Sequence, residues 1–305
     1  MKIAVTGATS MIGCALIREC ITNGTQVLAV VRRGTKRLER LPASPLVDIA
    51  YAGLDELDTV SGSGFDALYH FAWEGTMRAE RDDPMMQERN IRSTLKAAEL
   101  AVRLGCRQFV FAGSQAEYGR VEGVSGPDTV PRPETAYGMA KLAAGMLSKR
   151  CCEKNGLSHI WTRIFSVYGT MDNAGTMLDY AIDQFLKGET AQFSAGRQMW
   201  NYLFESDAGK MFYRLTERHA PTGIYCIAGK EAMPLRSYIE IMRDVYGEGA
   251  VCAFAPDGDT VPLGIQADIT KTVQAADYCP QVGFAEGISS VIAFKRAQKG
   301  QERPL

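Results

Sequence analysis

Short apolar runs alternate with longer stretches of helical spacing through the first half of the chain. Residues 3–5 (Ile-Ala-Val) form an unbroken apolar run, as expected of a strand covered on both faces. Residues 14–20 carry Ala15, Leu16 and Ile17 at helical spacing, and residues 26–31 read as a second strand. Strand, helix and strand in so short a span imply a right-handed parallel crossover. The alternation continues with strands at 46–52, 65–71, 108–112 and 158–165. Helices fall at 82–104 and in the later part of 131–155, which opens as a Pro-rich loop. This order predicts an α/β fold with a doubly wound parallel sheet. After Ser166 the texture changes to a loop at 169–175 and a helix at 177–187, with Leu178, Ile182, Phe185 and Leu186 on one face. Short strands follow at 202–204, 224–227 and 251–255, with helices at 207–218 and 235–246. The C-terminal segment is irregular up to a helix near 288–299. Residues 1–165, with about 202–229, are assigned to the sheet domain, and 166–201 and 230–305 to a smaller, partly interleaved substrate lobe.

The 305 residues, 46% of them hydrophobic, are enough for one large domain or two moderate ones. A net charge of -1 marks no polyanion-binding surface, so no nucleic acid is expected. No apolar run is long enough to span a bilayer, and Met1-Lys2 leads directly into a strand without a cleavable signal. Eight scattered cysteines form no pair of CxxC motifs, and Cys151-Cys152 are adjacent within a helix. With three dispersed histidines (His70, His159, His219), this reads as a cytoplasmic protein with reduced thiols and no metal site.

The first strand and helix are joined by a turn holding Gly7, Ser10 and Gly13. Strand, glycine turn and helix form the context that binds a dinucleotide. Gly7 permits a sharp turn, the helix N-terminus offers N–H groups and a positive dipole end to a pyrophosphate, and Gly13 allows close helix packing. Gly7, Thr9, Ser10, Met11, Ile12 and Gly13 are the expected cofactor contacts, with Ser10, a small hydrogen-bond donor, standing where a glycine is usual. The second strand ends in Val30-Val31-Arg32-Arg33, followed by Lys36 and Arg37. No carboxylate is present there to bind ribose hydroxyls. Arg32 and Arg33 suit a 2′-phosphate, so NADP is expected, with NAD as the alternative. Asp55, after the third strand, is expected to border the adenine, and Ala72, after the fourth, to contact the cofactor.

Tyr137 and Lys141 stand four apart on a helix and share a face. An ammonium beside a phenol favours the phenolate and lowers a pKa normally about 10. Such a tyrosine can exchange a proton at neutral pH, as carbonyl reduction requires. Ser114, at the end of the fifth strand, points into the same crevice.

These motifs occur in order with Asn90, Tyr118-Gly119 and Arg163-Ile-Phe-Ser-Val-Tyr168-Gly169. The chain resembles the extended short-chain dehydrogenase/reductases, specifically the NAD(P)-dependent epimerase/dehydratase group that acts on nucleotide sugars. The resemblance covers nearly the whole chain, more loosely after Ser166. It implies a Rossmann-type domain, Tyr137 as acid/base, Ser114 as its partner and Lys141 on the nicotinamide ribose. It gives Asn90 a supporting role and implies a homodimer built from the helices that carry Asn90 and Tyr137.

Departures from the family pattern narrow the activity. Members that eliminate water use an acidic pair just after the active-site hydroxyl, where this chain has Gln115 and Ala116, with Glu117 one residue too late. This argues against a 4,6-dehydratase. It leaves reduction of a 4-keto-deoxysugar nucleotide by NADPH, which the missing acid after the second strand favours, or 4-epimerisation with retained NAD. A non-catalytic NADP-binding sensor is the reading from another class, and the retained Tyr137, Lys141 and Ser114 oppose it. Trp73, Gln115, Ser166, Arg197 and Trp200 are the expected substrate contacts. Ser166 stands where relatives often have asparagine, Trp200 where they have arginine, and a later arginine turn is replaced by 255–259.

Overall fold

Seven parallel strands form the central sheet of the computed structural model, which describes residues 1–256 and 264–301. They are β1 (Lys2–Thr6), β2 (Gln26–Val31), β3 (Val47–Tyr51), β4 (Ala67–His70), β5 (Gln108–Ser114), β6 (Ser158–Ile164) and β7 (Gly223–Ile227). Their order across the sheet is β7-β6-β5-β4-β1-β2-β3. The order reverses at β1, which lies between β2 and β4, and this opens a crevice beyond the carboxyl ends of the strands.

The apolar run of β1 is explained by its two covered faces. Ile3 and Val5 pack with Leu16, Ile17, Met211 and Phe212. Ala4 packs on the other side with Leu68, Leu100 and Phe109. Helices α1 (Met11–Thr22) and α5 (Glu205–Glu217) cover the first face, while α2 (Pro84–Arg103) and α3 (Ala136–Lys154) cover the second. A Cβ on Gly209 would lie 2.6 Å from the Ala15 carbonyl, so α5 can cross α1 only at a glycine.

Helix α1 starts at Met11, earlier than the apolar spacing indicates. Ser10 is its N-cap: its backbone is extended, and its Oγ accepts the Gly13 N–H at 3.0 Å. Helix α4 (Met177–Lys187) packs with α6 (Leu235–Tyr246) and α8 (Phe284–Gln301) around Leu178, Ile182, Phe185, Met242, Ile288 and Ile292. Two short parallel strand pairs lie outside the central sheet, Ser166–Tyr168 with Tyr202–Phe204 and Thr190–Phe193 with Val251–Phe254.

The sequence pattern misses Ser166–Tyr168, Thr190–Phe193 and a seven-residue helix, Thr270–Ala276. These elements are too short to display a period. The helix buries only Thr272 and Ala276. Residues 257–259, read as replacing an arginine turn, lie outside the described residues. No helix among the described residues is long and apolar enough to cross a membrane. All eight cysteines are free, and no group of three metal-ligating side chains occurs among the described residues.

Candidate active site

Two adjoining cavities occupy the crevice above the sheet. The larger, about 810 Å³, runs from Gly7, Thr9 and Ser10 past Arg32, Thr35, Lys36 and Arg37 to Ala52, Gly53 and Leu54. The smaller, about 400 Å³, contains Ser114, Gln115, Tyr137, Lys141 and Ser166. Ser10, Arg37, Phe71 and Trp73 border both.

The larger cavity fits a dinucleotide. Gly7 has φ +69°, and a Cβ there would lie 2.6 Å from the Ala72 nitrogen, so the turn requires glycine. A Cβ on Gly13 would lie 2.5 Å from the Gly7 carbonyl oxygen, which explains why α1 begins directly against the turn. Met11 and Ile12, in the first turn of α1, line the smaller cavity beside Ser10. This presents a helix N-terminus to the junction of the two cavities, the place suited to a pyrophosphate.

Lys141 is 4% exposed at the heart of the smaller cavity. Its Nζ donates to the Ala112 carbonyl at 2.6 Å and lies 3.6 Å from the centre of the Trp73 ring. Burial pulls its pKa down to about 7, opposed by the charge of Glu117 and assisted by Arg81. Burial pushes the Tyr137 phenol up, whereas the Ser114 hydroxyl and the Arg81 guanidinium pull it down. Trp73 meets the Tyr137 ring edge-on at 6.0 Å and donates its Nε1–H to Gln87 Oε1 at 2.9 Å. The phenol therefore sits among an ammonium, a guanidinium and a hydroxyl, a setting for moving a proton to or from a substrate oxygen.

Glu117 is withdrawn from this chemistry, although its charge still reaches Lys141 and Tyr137. It is fully buried, and its carboxylate accepts from the Ser114 N–H at 2.8 Å, Arg163 Nε at 2.8 Å and Trp161 Nε1 at 3.3 Å. Burial raises its pKa and Arg163 opposes the rise. It lines neither cavity. The position after Ser114 thus supplies an amide, Gln115, and no acid.

Ser114, Tyr137, Lys141, Trp73, Gln115 and Ser166 share the smaller cavity, and Gly7, Thr9, Ser10, Met11, Ile12, Arg32 and Ala72 line one or other of the two. Asn90 lies behind the wall. Its amide accepts from the Glu74 N–H and donates to the Glu74 carbonyl, both at 2.9 Å, fixing the loop after β4.

Four expectations require correction. Arg33 is exposed and lines neither cavity, because the chain turns at Gly34 (φ +70°) and only Arg32 of the pair borders the groove. Asp55 is in a short helical turn, Leu54–Thr59, with its side chain 91% exposed toward Lys96, so its neighbours Gly53 and Leu54 form the wall instead. Arg197 and Trp200 line neither cavity. Met199–Trp200 pairs with Met233–Pro234, and the Trp200 carbonyl accepts from the Tyr238 hydroxyl at 3.1 Å, which keeps this segment in the wall of the second lobe.

The sequence reading overlooks Arg81, Arg40 and Asp172, all of which line the smaller cavity. Arg40 NH1 donates to the Met171 carbonyl at 3.3 Å, bringing the loop after β2 against the loop after Tyr168. Burial pushes Asp172 up to about 6. None of the three stands at a spacing that a motif could reveal.

A family model described as the NAD dependent epimerase/dehydratase family matches residues 3–228. The chain is similar to an uncharacterized UDP-glucose epimerase, YtcB, of Bacillus subtilis (strain 168), with 25% identity over 96% of this chain and 98% of the relative. It is similar to a dTDP-glucose 4,6-dehydratase of Streptomyces niveus, with 23% identity over 100% of this chain and 96% of that one. Among solved structures, it resembles the UDP-glucuronic acid 4-epimerase of Bacillus cereus in complex with NAD. That match has a TM-score of 0.83 and 20% identity, covering 97% of this chain and 99% of the other.

Proposed function

The chain belongs to the NAD dependent epimerase/dehydratase family, within the extended short-chain dehydrogenase/reductases, and we propose that it acts as a nicotinamide-dependent 4-epimerase of a nucleotide sugar. One observation carries this reading: the smaller cavity holds Ser114, Tyr137 and Lys141 together, while Glu117, the acid that follows Ser114 in the chain, is locked to Arg163. Elimination of water needs a second acid there, and proton exchange at a single oxygen does not. The likeness to epimerases along the full length favours epimerisation over the net reduction that the second-strand cations suggest.

A nicotinamide held where the two cavities meet would supply reversible hydride transfer at the sugar carbon. Gly7, Ser10 and the first turn of α1 would hold its pyrophosphate, and Lys141 its ribose. Tyr137, when ionised, takes the proton of the C4 hydroxyl as that alcohol is oxidised to the ketone. The same tyrosine gives the proton back once the opposite face of the ring has been reduced. Ser114 bonds to the oxygen in both directions. Burial holds the Tyr137 phenol up, and the Ser114 hydroxyl and the Arg81 guanidinium are the groups that favour its ionised form. Residues 166–201 and 230–305 form the lobe that holds the nucleotide. Homodimerisation through α2 and α3, and residence in the cytoplasm, complete the reading; eight free thiols accord with a reducing compartment.

A second reading, NADPH-dependent reduction of a 4-keto sugar nucleotide, is favoured by Arg32, Lys36 and Arg37 around the larger cavity. One experiment separates the two. The protein is denatured as purified, and the released nucleotide is identified by mass spectrometry. UDP-glucose and UDP-glucuronic acid are then incubated with intact protein without added cofactor and followed by NMR. Retained NAD and appearance of a 4-epimer support epimerisation, and Tyr137→Phe should abolish it about a thousandfold or more. Retained or preferred NADP, with turnover only of an added 4-keto sugar, would select the reductase.

A further inference from the structure

We propose that Arg81 makes the sugar site selective for a ring that carries a carboxylate beside the reacting carbon, as in a hexuronate. The proposal rests on the nucleotide-sugar reading above and names the substrate class.

The guanidinium of Arg81 lies 4.2 Å from the centre of the Tyr137 ring and borders the smaller cavity. Among the described residues no carboxylate forms an ion pair with it. Its segment is pinned on both sides. Glu80 accepts from Gln87 Nε2 through its carbonyl at 3.0 Å, and Asp82 accepts the Ala136 N–H, at the start of the helix that carries Tyr137, at 2.8 Å. A fixed, unneutralised cation therefore stands over the residue that handles the proton. Asp172 is the one carboxylate among the described residues lining that cavity, against Arg37, Arg40, Arg81 and Lys141. Even with Asp172 ionised, three arginines outnumber it, so the cavity keeps an excess of positive charge.

The diphosphate of the substrate does not account for this cation. In a pyranose the diphosphate hangs from C1, across the ring from C4. With the C4 oxygen at the Tyr137 hydroxyl, a group beside that tyrosine meets the substituents of C3 or C5. A C5 carboxylate is the anion that geometry brings there, and a guanidinium fork matches it.

The test is calorimetric titration of the full-length protein, saturated with NADH, with UDP-glucuronic acid and with UDP-glucose. The unaltered protein should bind the glucuronate about ten- to a hundredfold more tightly. Arg81→Met should erase that preference by weakening UDP-glucuronic acid about ten- to a hundredfold more than it weakens UDP-glucose, and Arg81→Lys should keep part of it. Circular dichroism establishes that each variant is folded. Equal affinities in the unaltered protein, or tighter UDP-glucose binding, would overturn the proposal. So would a loss in Arg81→Met that falls equally on both sugars, which is the result expected if Arg81 only braces Tyr137. If neither sugar binds, the nucleotide-sugar reading fails and this proposal falls with it.

Discussion

The single residues that shape this protein differ in how openly the sequence displays them. Tyr137 and Lys141 are readable because helix geometry alone places them on one face, and the structure puts both in one cavity. Arg81 is not readable, because its meeting with Tyr137 depends on how a short turn folds against α3. The buried histidines are a further hidden feature with a measurable consequence. His70 and His159 are each 1% exposed and bonded to hydroxyls, His70 Nδ1 to Thr6 at 2.8 Å and His159 Nε2 to Ser148 at 2.9 Å. Burial lowers both pKa values to about 3 from 6.5. Between these values the unfolded chain binds protons that the folded one refuses. Each histidine therefore contributes stability that is intact above about pH 6.5 and lost as pH falls toward 3, at up to about 1.4 kcal/mol per pH unit. Asp172, raised to about 6, acts in the opposite sense over part of that range, so a comparison with a variant is needed. In urea melts, His159→Gln should lose less stability on acidification than the unaltered protein. The gap between the two should change by roughly 1.5 kcal/mol from pH 6.5 to pH 5. Parallel curves would show that His159 takes up its proton while the fold is intact.

At the scale of elements, the turn from β1 into α1 is the clearest case of sequence, packing and function coinciding. Ser10 departs from a glycine pattern, yet as the N-cap it starts the helix, whereas Gly13 is required by contact with the turn itself. The two positions should respond differently. Ser10→Ala removes one cap and should cost about 1 kcal/mol in thermal or urea unfolding. Gly13→Ala drives a methyl into the Gly7 carbonyl, so it should cost about 1–3 kcal/mol and weaken NAD binding as the helix end moves away. Equal NAD affinity in Gly13→Ala, measured by fluorescence titration, would mean that the helix end is not the pyrophosphate site. The same elements show why legibility ends where it does. β1, β2, β4 and β5 are apolar because both faces are covered, so their pattern is complete in the sequence. The strands Ser166–Tyr168 and Thr190–Phe193 exist through pairing with distant partners, and three or four residues carry no period of their own. The cavity wall around Ser166 is built on such segments, so no period in the sequence separates Trp200 and Arg197, which lie outside both cavities, from Ser114, which ends a seven-residue buried strand inside one.

At the scale of the whole molecule, the chain leaves the sheet after β6, forms α4, and returns for α5 and β7 before α6 and the C-terminal helices. The helix that carries Tyr137 and Lys141, α3, has a face on the sheet and a face toward solvent. The inner face of α3 holds Lys141, Ala144 and Ser148 against the sheet. Its outer face shows Met139, Met146 and Leu147, respectively 53%, 60% and 48% exposed, and Met85 of α2 is 75% exposed. Positions 139, 146 and 147 follow one another at helical spacing, with half-buried Ala143 between them, so they form a stripe. A stripe of flexible apolar side chains facing water suits a second copy of the same surface around a two-fold axis. In light scattering coupled to gel filtration, the protein should run at twice its 33.4 kDa chain mass. Met146→Glu places a charge at the centre of the stripe and should shift the population toward the single-chain mass, with unchanged circular dichroism. Because Met146 lines neither cavity, NAD affinity should stay within about twofold. A dimer that persists in Met146→Glu would move the interface elsewhere, and a protein that is monomeric without substitution would remove the dimer from the functional reading.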